Sequence, residues 1–143
     1  MRAALLFVCT LLFTTSCDAT QSGKLPRELA GSWVVRIENL QHQVVVTMNI
    51  VFTNEAAESC MSGDWKRVIV KSHQASEKDF FPFNEPLSYE LEKGAITIGR
   101  NEICDAYLHL KGDLRDSVAE GEYVAFGMLS GERLGYFSLR RSL

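Results

Sequence analysis

Val44-Val45-Val46-Thr47-Met48-Asn49-Ile50-Val51-Phe52 decides the fold: Val44, Val46, Met48, Ile50 and Phe52 make an unbroken apolar row, opposed by Val45, Thr47, Asn49 and Val51. Successive side chains of a strand point to opposite faces, so this alternation predicts a strand with one face in a core. Upstream, Trp33, Val35 and Ile37 alternate with Val34 and Arg36. Downstream, Trp65–Lys71 carries Val68 and Val70 on one side, and Leu87, Tyr89 and Leu91 alternate with Ser88, Glu90 and Glu92. Ala95–Gly99 follows across Lys93-Gly94, a two-residue hairpin turn. Cys104, Ala106, Leu108 and Leu110 alternate with Asp105, Tyr107, His109 and Lys111, and the runs Val118–Leu129 and Leu134–Arg140 complete the chain. About eight strands with tight turns and almost no helix predict an all-β, single antiparallel up-and-down barrel, since closure removes exposed edges. A sandwich of the same strands is the alternative.

The first residues read differently. Arg2 supplies a positive charge, Ala3 to Phe13 is apolar, and small residues follow in Thr14-Thr15-Ser16-Cys17. An apolar stretch of about eleven residues is too short to span roughly 30 Å of hydrocarbon, so residues 1–16 read as a secretory signal. The run into Cys17 resembles the lipobox of bacterial lipoproteins, with Thr14 where that family prefers leucine. The resemblance implies lipid attachment at Cys17, and plain secretion with cleavage after Ala19 is the alternative. Residues 17–28 then form the attachment point and a polar tether, Asp18 to Lys24, before a barrel domain at 29–143. Pro26 is suited to start a helical turn over Leu25–Ala30.

Cysteine counting agrees with export. Cys9 leaves with the signal and Cys17 is acylated or cleaved away, which leaves Cys60 and Cys104 as one disulfide. No Cys-x-x-Cys spacing occurs, and His42, His73 and His109 lie far apart in sequence, so no metal site is expected. The net charge of -3 comes without a basic run, which excludes an electrostatic nucleic-acid footprint.

Gly31-Ser32-Trp33 at the first strand, with Arg140 and Arg141 in the last, resembles the calycin pattern of lipocalins. The resemblance implies that Trp33 plugs one end of a barrel and that Arg140 or Arg141 packs over its face; register alone decides which. A similar plan occurs in streptavidin-like barrels and in small periplasmic inhibitors of bacterial metalloproteases, whose N-terminal arm leads into a Gly-x-Trp strand as Leu25–Trp33 does here.

No nucleophile elbow, Ser-x-x-Lys, His-Glu-x-x-His or phosphate loop is present. Glu90 with Glu92 and Glu120 with Glu122 sit on solvated strand faces, and His109 is expected on an exposed one. The informative loop is Ser72–Pro86, where Phe80, Phe81 and Phe83 interrupt a polar stretch. They either cap the core or cover a ligand. Ligand contacts are expected from Phe80, Phe81, Phe83, Met48, Ile50 and Tyr89. The expectation is therefore an exported, lipid-anchored, monomeric protein on the periplasmic face of a bacterial membrane, or secreted. It binds a small apolar molecule or lipid without catalysis or cofactor; the alternative is a periplasmic protein-binding module such as a protease inhibitor.

Overall fold

The computed structural model describes residues 25–128 and 130–142. The signal segment, Cys17, the tether before Leu25 and Leu129 lie outside the described residues. Eight strands follow in order: β1 Ser32–Asn39, β2 Val44–Ala56, β3 Lys66–Ala75, β4 Leu87–Glu92, β5 Ala95–Arg100, β6 Tyr107–Arg115, β7 Val118–Phe126 and β8 Gly131–Arg141. Each pairs antiparallel with its neighbour in sequence, and β8 returns to β1, so the sheet closes as an up-and-down barrel rather than a sandwich. Among the described residues no helix is long and apolar enough to cross a membrane.

The alternation fixes which side is inside. Trp33, Val35 and Ile37 of β1 and Val46, Met48 and Ile50 of β2 are fully buried, joined by Ile96, Ile98, Leu110 and Leu139. The inward row begins at Val46 and not at Val44, which is 48% exposed. A register shift between Ile37 and Glu38 leaves Val45 as the extra residue and turns Val44 out at the rim. Lys93 and Gly94 both have positive φ, 52° and 88°, as the β4–β5 hairpin turn requires. Gly121 is required by a close backbone approach: a Cβ there would lie 2.0 Å from the Lys111 carbonyl oxygen.

Several strand limits differ from expectation: β2 runs on to Ala56, β7 ends at Phe126 and β8 starts at Gly131. β3 starts at Lys66, leaving Trp65 in the preceding loop, and continues to Ala75 through polar residues whose pairing with β2 sustains it. β6 starts at Tyr107, because Asp105 adopts a left-handed φ of 62° and ends the connection that holds Cys104.

The near rim of the barrel, where Leu25 packs onto the core, is closed by the expected indole. A 3-10 turn at Arg27–Leu29 brings the Leu29 carbonyl to Trp33 Nε1, which donates to it at 3.1 Å. The arginine over the ring is Arg141, with Cζ 5.1 Å from the ring centroid, and it also donates to the Glu28 carbonyl. Arg140, the other candidate, is one register step away: it opposes Val34 and pairs outward with Glu120 at 3.0 Å. Trp33 opposes Arg141 directly, and opposed residues share a face.

Candidate functional site

At the far rim the phenylalanine loop turns inward. Phe81 is 1% exposed and Phe83 is buried with it in the core cluster. Phe80 and Phe81 meet the Tyr123 ring edge-on at 5.3 and 5.5 Å, and the Tyr123 hydroxyl donates to the Phe80 carbonyl at 2.6 Å. Burial raises the pKa of that hydroxyl, which keeps it a donor. Met48 and Ile50 are 0% exposed, so no water-sized space touches them. Tyr89 is buried beside them and donates to the Thr53 carbonyl at 2.8 Å. Its pKa is pushed up to about 12, first by burial and then by Asp64. The expected ligand contacts thus meet in one packed core, with Phe80 partly buried at its edge.

A second feature had no signal in the hydrophobic pattern. Residues 57–65 form a strap outside the wall, held to the connection between β5 and β6 by the Cys60–Cys104 disulfide. The Cys60 amide donates to the Asn101 carbonyl at 2.9 Å, and the Asp64 amide donates to Glu90 Oε1 at 3.1 Å. Beneath it, Ser88, Gly99 and His109 lie in one cross-strand row. Ser88, Asn101 and His109 are all buried, which corrects the expectation that His109 is exposed: Trp65 and Phe126 stand 5.6 and 4.9 Å from its ring. Gly99 is required there, since a Cβ would lie 2.1 Å from the Leu108 carbonyl oxygen and 2.7 Å from the His109 ring.

The polar groups form a chain. Asn101 Nδ2 donates to Ser88 Oγ at 2.9 Å, which makes Asn101 Oδ1 the acceptor for His109 Nε2 at 2.5 Å. Ser88 Oγ donates onward to the Gly99 carbonyl at 3.4 Å. His109 Nδ1 has no partner among the described residues. Burial, and then Lys111, lower the imidazole pKa to about 4, so the ring is neutral. The histidine touches an amide and not the hydroxyl, and the serine is itself buried. The cluster holds the strap and lacks the nucleophile–base contact of an acyl-transfer site. Among the described residues no three His, Cys, Asp or Glu side chains are grouped to hold a metal.

The third feature is a split in the wall. β3 and β4 pair only over Lys66–Val68 with Leu87–Tyr89. Beyond Val68, Ile69–Ala75 has β2 on one side and no strand on the other among the described residues. A cleft of about 360 Å³ lies between this edge and residues 83–88, with Val68, Val70, Phe83 and Leu87 in its lining. Arg67, Glu58, Glu85 and Glu102 also line it. Glu85 pairs with Arg100 at 3.1 Å and Arg67 with Glu55 at 3.8 Å. Glu58 and Glu102 have no ion-pair partner among the described residues.

The fold and its wall cleft define an eight-stranded antiparallel barrel with a filled interior, compatible with a lipocalin-like plan. No protein-family model, curated protein or solved structure matches the chain.

Proposed function

We propose that this chain is an exported, lipid-anchored binding protein that recognises a protein partner through the outside of its barrel, without catalysis. The observation that carries this is the filled interior. Met48, Ile50, Ile96, Ile98 and Leu110 leave no surface to water, so a carried molecule has no space among them. Recognition then falls to the wall and the rims, where Leu40, Val44, Ile103 and Met128 are exposed on the far-rim connections or beside them. The Cys60–Cys104 bridge supports an oxidising compartment such as the periplasm. Thr14 to Cys17 support the anchor.

A second reading, a carrier of a small apolar molecule or lipid, draws on the wall cleft, whose apolar lining could seat such a ligand. Native mass spectrometry of the protein purified without detergent stripping separates the two. The expected result is the polypeptide with its anchor and no further apolar molecule, together with cross-links to a partner protein in intact cells. A stoichiometric bound lipid with no partner cross-links would replace the proposal by the carrier. Fatty-acid labelling that disappears in Cys17→Ala checks the anchor.

A further inference from the structure

We propose that the β3–β4 split is a peptide-docking site: an extended segment of the partner adds as a strand along Ile69–Ala75. One of its apolar side chains sits on Val68, Val70 and Phe83, and a nearby lysine or arginine meets Glu58 and Glu102. This rests on the protein-partner reading and names what the partner must present.

Closing a sheet into a barrel normally leaves no edge, and here seven residues of β3 keep one. Along an unpaired edge, alternate residues present N–H and C=O groups to whatever lies alongside, which is the chemistry an added strand uses. The neighbouring loop reaches this edge through a ring contact, Phe83 on His73 at 4.1 Å, and its backbone does not pair with it. Pro82 and Pro86 have no N–H, the Phe83 amide donates to the Phe81 carbonyl at 2.9 Å, and the Glu85 amide donates to the Pro82 carbonyl at 3.0 Å. These donors are turned back into the loop. Phe81 and Phe83 pin that loop into the core, and the Arg100–Glu85 pair pins its end. The disulfide joins the connection before β3 to the connection after β5, which spans the split and limits how far it opens. The split is therefore restrained on both sides.

Charge selects the occupant. Arg67, the cation in the cleft lining, already pairs with Glu55, and Arg100 pairs with Glu85; Lys71 on the edge strand is in no ion pair among the described residues, and the carboxylates Glu58 and Glu102 are left over at the mouth. The mouth is acidic and suits a basic side chain. A second copy of this chain is a poor occupant. Lys71 is the extra residue of a bulge between Val70 and Ser72, so two such edges would meet with an interrupted ladder and facing lysines.

The test selects a displayed library of random decapeptides on the full folded protein and maps binders by amide hydrogen exchange. Expected binders alternate in pattern, carry an apolar residue near a lysine or arginine, and slow exchange at alternate amides of Ile69–Ala75. Methylating the peptide amides that face β3, or making Glu58→Gln with Glu102→Gln, should each weaken the best binder at least tenfold. Enrichment of no peptide, protection confined to another face, or unchanged binding after methylation would overturn the inference. So would slow exchange along Ile69–Ala75 in the peptide-free protein at concentrations where it self-associates. A partner cross-linked at the far rim with Ile69–Ala75 unprotected leaves the protein-partner reading standing and sinks only the docking site. A bound lipid with no partner sinks both.

Discussion

Cys60 and Cys104 join connections that leave opposite ends of the barrel: Cys60 follows β2 at the near rim, and Cys104 follows β5 at the far rim. The bond therefore runs along the outside of the wall, and it crosses the one interface where neighbouring strands pair over only three residues.

Removing that bond should be felt first at the split. With the cysteines 44 positions apart in sequence, the chain-entropy argument gives on the order of 3–4 kcal/mol of stability. The double variant Cys60→Ala with Cys104→Ala should lose about that much in urea unfolding. Its amide exchange should rise first at Lys66–Val68 and Leu87–Tyr89, while the β7–β8 ladder stays protected.

Stability should fall with acid through His109. Its pKa is about 4 in the folded chain against 6.5 for the free group, so the unfolded state takes up the proton first as pH drops. The stability linked to the neutral ring is full above pH 6.5 and is lost progressively towards pH 4, by on the order of 3 kcal/mol. Urea midpoints at pH 7 and pH 4.5 measure it, and the difference should shrink in His109→Gln.

The two adjacent arginines should behave unequally. Arg141→Ala removes the guanidinium over Trp33 and the donor to the Glu28 carbonyl, and should cost about 1 kcal/mol. Arg140→Ala removes one exposed ion pair and should change stability by about 0.5 kcal/mol or less. Equal effects would mean that the register at this end is wrong.

The phenylalanine loop should act as core. Phe81→Ala is expected to cost about 3–5 kcal/mol and Tyr123→Phe about 1–2 kcal/mol, the latter by leaving the Phe80 carbonyl unpaired. A loop that moved as a lid would tolerate Phe81→Ala with an unchanged thermal midpoint.

The strands were legible where one face is core and the other water. Val46 to Phe52 alternate cleanly, and the Lys93-Gly94 turn announces its hairpin. The same pattern failed where the outer face is covered. His109 is on the outward side, as its parity with Tyr107 and Lys111 predicts, yet it is buried because the strap lies over it. Nothing in the alternation of β6 reports what a loop 44 residues away will do. The second half of β3 was hidden for the opposite reason: Ser72, His73 and Gln74 are polar and exposed, held by pairing with β2 and not by burial. The split beside them follows from β4 being short, which is a relation between two strands and has no signature in either. Trp33 was readable by resemblance, and its arginine partner was not, because a single step of register separates Arg140 from Arg141.

The Ser142 amide donates to the Ser32 carbonyl at 2.8 Å, beside the turn at Arg27–Leu29. The two ends of the described chain thus meet on one rim, and the strand order forms a ring with no privileged starting point. A short linker from residue 142 back to residue 25 should permit circular permutation, with new termini opened at an exposed turn such as Asp116-Ser117. A fluorescent or affinity module appended after β8 would stand at the near rim, leaving the far rim clear for labelling and capture.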